Sequence, residues 1–568
     1  MTDYIPKTKE ELKVIIKNKY VITGLMLLFS HASNSFANEI NVSILATSDV
    51  HGRMVPWDYG TDSVNNSGSY AQISTFIKTY REAHPNVIVA DVGDIIQDNQ
   101  IERFYNVDNH PAMLALNAMK YDLITLGNHE FNFGMPALDK ILAVFKGQAL
   151  VANLYYKDSG KPYLPASTII EKDGVKIGFI GATTPFVAEF EEKTGHVKQM
   201  QFTMPIPEIQ KQVDELKSQG ADAIVLIAHM GFDNENNKPG TGVADIAKQV
   251  KGLDVILAGH NHQNISQEIV NNVIITEPHR YGTVVSVVDL KFDVENGKVK
   301  LIDKKSETQA VKDYAADPQI VDIYAPYHEQ LRVISNEVIG ETDKDLVPLH
   351  LDHGIPAVYT ADSGLTALLT NVQRYYSGAD VVSVLVDNKN AKLNKGKIAR
   401  KDIAYNYQYT AGETSIYLFT GKDLKDYMEW SAGYFDQVKP GDTTYRYHPV
   451  RGKSKYMTYD MFGGIKYTID LSEPEGQRIK NLTLLDGTPI TDDTTLKMGM
   501  NAYRYEMLVK PGGPLEGRRV APIWNSRTAF GDEEGTIRNM TIKYINEAKQ
   551  GKITDESNYN WRVIGIGE

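Results

Sequence analysis

Cysteine is absent from this sequence, which excludes a disulfide framework, thiolate metal sites and cysteine nucleophiles and leaves the redox compartment undetermined. An excess of positive charge is also missing. Lysine and arginine number 60 against 72 aspartates and glutamates, a net charge of −12, and no long Lys/Arg block occurs, so a nucleic-acid polymer is not the expected partner. A small phosphate ester stays open, because one local cationic site overrides a modest negative total. No segment carries the roughly 20 consecutive apolar residues that span a bilayer. With 42% hydrophobic and 23% charged positions over 568 residues, the composition is that of a globular chain with room for two large domains or several smaller ones.

The amino-terminal stretch Lys17 to Ala37 reads as an export signal. Lys17 and Lys19 supply positive charge, Val21 to Phe29 is largely apolar, and Ser35-Phe36-Ala37 sets small residues three before and immediately before a cut. A polar, partly acidic stretch, Met1 to Ile16, precedes it, which points to a translation start further downstream. The expectation is a periplasmic or secreted product, with residues 1–38 as the export segment and no stable membrane anchor.

From Glu39 to about Ser335, short β-branched runs alternate with amphipathic stretches, the pattern of an α/β domain with buried strands. Five runs end in chemically loaded clusters. Ile40–Ala46 leads into Asp49-Val50-His51-Gly52, Val87–Ala90 into Asp91-Val92-Gly93-Asp94, and Leu123–Leu126 into Gly127-Asn128-His129-Glu130. Ala223–Ala228 leads into His229-Met230-Gly231, and Val255–Ala258 into Gly259-His260-Asn261-His262. Loops past the carboxyl ends of such strands converge on a crevice. Ala315 to Ile339 is amphipathic and reads as a helical connector. A tyrosine-rich second domain of strands and turns follows, ending at Glu568.

Aspartate oxygens, asparagine carbonyls and imidazole nitrogens are the ligands of open catalytic sites for divalent cations. Asp49, His51, Asp94, Asn128, His229, His260 and His262 are the candidates, too many for one open ion and suited to two ions sharing a carboxylate. Asp94, on a Gly-Asp turn in the middle of the order, is the expected bridge. A lone histidine after a strand, such as His229, is by itself more often structural, and Asp49-Val50-His51 alone could be a turn. Adjacent chargeable groups at five buried strand ends are different, since they cost desolvation unless they coordinate or pair. The reaction class expected of two such cations is in-line attack of activated water on phosphorus. Zn, Mn, Fe or Co would all suit the mixed O/N ligation. His84, His110, His196 and His279 belong to no cluster and receive no role.

The order D-x-H, G-D, G-N-H-E, H-M-G, G-H-N-H resembles the calcineurin-like metallophosphoesterases, and more narrowly the two-domain 5′-nucleotidase family. Gly127 to Gly134, Glu429 to Gly433, Arg478 to Thr483 and Asn501 to Arg504 resemble its bacterial 2′,3′-cyclic-nucleotide 2′-phosphodiesterase/3′-nucleotidase branch. The resemblance implies a four-layer α/β metallophosphoesterase sandwich over 39–335. It also implies an α/β nucleotide-binding domain over 336–568, joined to the first by the helical linker. It further implies one ion on Asp49, His51, Asp94 and His262 and a second on Asp94, Asn128, His229 and His260. His129 would then lie beside the scissile phosphate. The 5′-nucleotidases usually place an aspartate three residues after this histidine. Here Asn132 stands in its place, and an amide does not strengthen an imidazole as a base, so His129 is expected to act more as a neutral hydrogen-bond donor. Among the 32 tyrosines, Tyr409 and Tyr503 match the family positions that sandwich the base.

Two loops depart from the family pattern, Asp387-Asn388-Lys389-Asn390 and Lys510-Pro511-Gly512-Gly513-Pro514. The implied activity is opening of 2′,3′-cyclic nucleotides to 3′-nucleotides and then removal of the 3′-phosphate. A 5′-nucleotidase, a nucleotide-sugar hydrolase and a cyclic-dinucleotide phosphodiesterase are the alternatives within the same chemistry. A nucleotide-binding surface protein with a vestigial metal site is the alternative outside it.

Overall fold

Each of the five apolar runs becomes a buried strand in the computed structural model, which describes residues 38–567 apart from 193, 410–411, 454–456 and 532. The expected export signal lies outside the described residues. β1 (Asn38–Thr47), β2 (Val87–Asp91), β3 (Leu123–Thr125) and β4 (Gln148–Leu150) run parallel in one sheet. A second sheet holds β5 (Ser167–Lys172), β6 (Val175–Thr183), β7 (Ala223–His229), β8 (Val255–Ala258), β9 (Asn264–Val270) and β10 (Val273–Pro278). The chain then returns to the first sheet as the antiparallel pair β11 (Val284–Glu295) and β12 (Lys298–Ala310). The orders are β12-β11-β1-β2-β3-β4 and β9-β10-β8-β7-β6-β5.

Side-chain alternation assigns the layers. Ile44, Ala90 and Leu123 meet Phe179, Val225 and Leu257 between the sheets. The alternate residues Leu45, Val89 and Ile124 face outward onto α1 (Tyr70–Ala83) and α2 (Pro111–Met119). Ile180, Leu226 and Ile256 face α3 (Pro205–Ser218) and α4 (Val243–Gln249). Both faces of each central strand are buried, which is why these runs are continuously apolar. The four-layer α/β sandwich is therefore the observed fold.

The connector is α5 (Pro318–Ser335), begun by Asp317, whose side chain accepts from Gln319 N, and by Pro318 at the first helical turn. Pro326 removes a backbone donor inside it, yet the helix continues because Ile320, Tyr324 and Leu331 are buried against the first domain. The second domain is built on a mixed sheet of β13 (Val381–Val384), β14 (Ser415–Thr420), β15 (Met461–Gly463), β16 (Thr495–Met500) and β17 (Trp524–Asn525), in the order β15-β13-β16-β14-β17. α6 (Gly364–Ser377) packs on it, and its start is closed by a reciprocal Ser363–Thr366 capping box. Asp62 of the first domain ties the parts together, pairing with Arg332 of α5 at 2.9 Å and with Lys401 at 3.7 Å. Among the described residues no helix is long and apolar enough to cross a membrane.

Candidate metal centre

The clusters that follow β1, β2, β3, β7 and β8 converge, and their backbone is shaped for it. Asp49, His51, Asp94, His260 and His262 all adopt the left-handed region, with φ between 49° and 75°. Such residues cost about 1–3 kcal/mol each and persist where the surroundings over-determine them. Glycine makes the close approach of two of the loops feasible. A Cβ on Gly127 would sit 2.2 Å from Asp94 Oδ1, and one on Gly93 would sit 2.3 Å from Gly127 N.

The donor atoms fall into two groups that share Asp94. Asp49, His51, Asp94 and His262 form one, Asp94, His229 and His260 the other, with the atoms of each within 4.8 Å of one another. Asp94 Oδ2 lies 3.1 Å from His229 Nε2 and 3.8 Å from His51 Nε2, while Oδ1 accepts from His129 N–H at 2.9 Å. The same carboxylate oxygen thus faces both groups. His262 Nε2 is 3.2 Å from Asp49 Oδ1 and 3.1 Å from His51 Nε2. Asn128 Oδ1 is 2.8 Å from His260 Nδ1, which brings Asn128 to the second group. Ligand bonds of about 2.0–2.1 Å in tetrahedral geometry set donor atoms roughly 3.3 Å apart, so these separations are those of ligands around a shared cation.

Two observations test the fit of a cation directly. His229 is fully buried, and its Nε2, 3.1 Å from Asp94 Oδ2, makes no well-aligned hydrogen bond; its Nδ1 donates to Val92 O at 2.9 Å, leaving Nε2 as the ligating atom. His51 is arranged alike, with Nδ1 at 3.2 Å from Gln97 O. The electrostatics agree. Burial alone would depress His229, but Asp94 and Asp49 outweigh it and push the ring up to about 10. Burial disfavours charge on Asp49 and Asp94 too, yet the neighbouring histidines hold both carboxyls well below the usual range. A cation held here would take over the charge-balancing part that the His229 proton plays between Asp94 and Asp49.

Spacing gave no sign of the carboxylates that brace these loops. Glu130, almost fully buried, accepts from the N–H groups of Asp94, Ile95 and Gly127 at 2.6–2.8 Å and staples two ligand loops together. Glu235 Oε1 is 3.2 Å from His260 Nε2 and so orients that ring. His129 Nδ1 is 2.6 Å from Asn132 Oδ1, and Asn132 Nδ2 donates at 2.6 Å to Glu191, which also lies 3.1 Å from His196 Nδ1. His196 therefore has a place beside the site, unlike the exposed His84, which bonds its own helix at Tyr80 O, and His279, whose ring faces Thr283. His110 is fully buried, and burial pushes it down to about 3.

Tyr409 is half-buried beside Tyr407, with ring centroids 6.0 Å apart, and Tyr503 is half-exposed at the start of α7 (Ala502–Val509). Burial raises the Tyr409 hydroxyl, and Asp387, Arg504 and Tyr503 all act on it. Asp387 is in turn acted on by Arg280, whose Nη1 is 3.4 Å from His262 Nδ1. Arg504 points inward, paired with Asp460 at 2.7 Å and lying over Trp430. Lys389 lies over Tyr447. A cavity of about 530 Å³ between the domains reaches from His129, Asn132 and Phe133 to Arg400, Ala404 and Arg538.

The calcineurin-like phosphoesterase family model matches residues 42–264, and that of the 5′-nucleotidase C-terminal domain matches 338–507. The chain thus joins a calcineurin-like phosphoesterase domain to a 5′-nucleotidase C-terminal domain. Members of the calcineurin-like group use two divalent metal ions, and the donor set here fits them. The chain is 26% identical to the trifunctional nucleotide phosphoesterase protein YfkN of Bacillus subtilis over 94% of its own length, spanning 40% of that relative. It is 26% identical to the 2′,3′-cyclic-nucleotide 2′-phosphodiesterase/3′-nucleotidase of Haemophilus influenzae, covering 94% of this chain and 90% of that one. The 5′-nucleotidase precursor of Thermus thermophilus shares the fold, with a TM-score of 0.59 at 18% identity over 93% of this chain and all of that one.

Proposed function

We propose that this protein is a member of the 5′-nucleotidase family that hydrolyses nucleotide phosphate esters, opening 2′,3′-cyclic nucleotides to 3′-nucleotides and then releasing the 3′-phosphate. Two ligand groups sharing Asp94 Oδ2 carry the hydrolytic part of this reading. Likeness to the Haemophilus influenzae enzyme over nine tenths of its length supports the choice of substrate. Asp49, His51, Asp94 and His262 would hold one ion, and Asp94, Asn128, His229 and His260 the other. The bound ions supply Lewis-acid activation of water and neutralise charge on the phosphoryl oxygens.

The chain's own groups do the rest. Tyr409 and Tyr503 hold the base, so the phosphorus lies between the ligand loops and His129. Water oxygen bonds to phosphorus as the phosphorus–ester oxygen bond breaks. The departing oxygen keeps the bonding electrons and takes a proton from the His129 ring, while the proton lost by water passes to solvent. For a cyclic ester the leaving oxygen is the 2′ oxygen, and for the second step the 3′ oxygen, so the clamped nucleoside needs only to reorient. The signal-like segment Lys17 to Ala37 supports action outside the cytoplasm.

Hydrolysis rates for 2′,3′-cyclic AMP, 3′-AMP and 5′-AMP test the reading: the first two should dominate, and dominant cleavage of 5′-AMP would reject it. Removing either ring, Tyr409→Ala or Tyr503→Ala, should raise KM for nucleotides about 5–150-fold, the equivalent of 1–3 kcal/mol of stacking. The kcat should stay within a few-fold, and hydrolysis of p-nitrophenyl phosphate, which offers no base to the clamp, should be unchanged.

A further inference from the structure

Asn132 cannot by itself tell His129 which nitrogen to protonate, because an amide presents an acceptor on one arm and a donor on the other. Glu191 removes the ambiguity. Its Oε1 lies 2.6 Å from the Asn132 amide nitrogen, where an ionised carboxylate can only accept. The Asn132 oxygen is therefore turned to His129, 2.6 Å from Nδ1, and that nitrogen must carry the hydrogen. Glu191 is itself held. It is 4% exposed, its Oε2 accepts from Thr194 Oγ1 at 2.6 Å, and the same oxygen is 3.1 Å from His196 Nδ1. The chain from Thr194 and His196 through Glu191 and Asn132 ends on His129, the imidazole that lines the cavity beside the ligand loops.

We propose that Glu191 is a positioning residue for the reaction. By fixing the Asn132 amide it places a proton permanently on His129 Nδ1 and leaves Nε2 as the nitrogen that exchanges a proton with the leaving ester oxygen. A carboxylate thus acts on His129 across one intervening amide, 59 residues away in the sequence from Asn132, instead of being its direct partner. The neutral ring then has no N–H on Nε2, so its expected role as a neutral donor gives way to a two-stage one: Nε2 first takes up a proton from solvent, and the resulting imidazolium gives that proton to the departing oxygen. The proposal rests on the phosphoesterase reading, because it assigns Glu191 to a step of that reaction.

The test compares Glu191→Ala and Glu191→Gln with wild type on two monoesters. The first is 3′-AMP, whose alkoxide leaving group needs a proton, and the second is p-nitrophenyl phosphate, whose leaving group does not. Glu191→Ala should lower kcat on 3′-AMP about 10–100-fold, the scale of a misplaced catalytic group, with KM within two-fold and p-nitrophenyl phosphate within three-fold. Glu191→Gln can keep its amide oxygen on Asn132 by donating its nitrogen to Thr194 Oγ1, which sits 2.6 Å from the Glu191 carboxylate, and should recover kcat on 3′-AMP to within about five-fold of wild type. Imidazole nitrogen-15 spectra of the metal-free protein give a readout independent of turnover. His129 should be protonated at Nδ1 in wild type and in Glu191→Gln, and should lose that preference in Glu191→Ala. Parallel losses on both esters in Glu191→Ala, or an unchanged His129 tautomer in it, would overturn the role of Glu191 and leave the phosphoesterase reading standing. A wild-type protein inactive on both esters would overturn that reading and the proposal with it.

Discussion

Asp94→Asn should lower kcat/KM for 2′,3′-cyclic nucleotides by at least about 10³-fold. The reason is geometric. One carboxylate oxygen, Oδ2, faces His229 at 3.1 Å and His51 at 3.8 Å, so its charge serves both ligand groups at once. Loss of a single electrostatic stabiliser in a preorganised site commonly costs about 10²–10³-fold, and here one substitution weakens two cation sites. The asparagine keeps the shape and can still accept from His129 N–H through its oxygen, so the fold should survive. What it cannot keep is the charge that holds His229 well above its ordinary range. Metal content should fall with activity, and both can be read from the same purified protein.

His129→Ala should cost about 10²–10⁴-fold in kcat on nucleotides, the usual worth of a positioned proton donor or acceptor, while leaving the metal content at the wild-type level. The His129 ring meets the ligand His51 edge-on, with centroids 5.4 Å apart, but contributes no donor atom to either ligand group. The group that braces Asp94 is the His129 backbone N–H, which alanine retains. The two variants therefore separate two roles: Asp94→Asn loses metal and rate together, and His129→Ala loses rate alone. An His129→Ala protein depleted of metal would place this ring among the ligands.

The ligand loops are legible in the sequence because of what precedes them. Runs such as Val87–Ala90 and Ala223–Ala228 are apolar on both faces, which only a doubly covered strand tolerates, and the polar cluster must then emerge at the strand end. Observed β2 and β7 extend those runs by one residue each, to Asp91 and His229. The connector is legible for a similar reason, its amphipathic face surviving Pro326 through the burial of Tyr324 and Leu331. The carboxylates behind the ligands are not legible. Glu191 and Glu235 reach their partners from 59 and 25 residues away, and nothing in their local sequence distinguishes them from surface acids. Glu130 stands inside a recognised motif, yet its task of accepting three backbone N–H groups depends on how two loops meet. Arg504 illustrates the converse. Its place next to Tyr503 suggests a cationic contact for substrate, but Asp460 and Trp430 draw it into the core of the second domain.

Metal quantification with anomalous diffraction on the wild-type protein and Asp94→Asn is the most direct test of the shared-carboxylate centre. Two ions per chain, roughly 3.5–4 Å apart and both contacting Asp94, are expected in the wild type, with occupancy falling at both positions in the variant. A fully active wild-type protein holding a single ion or none, or one whose turnover survives exhaustive chelation, would contradict it.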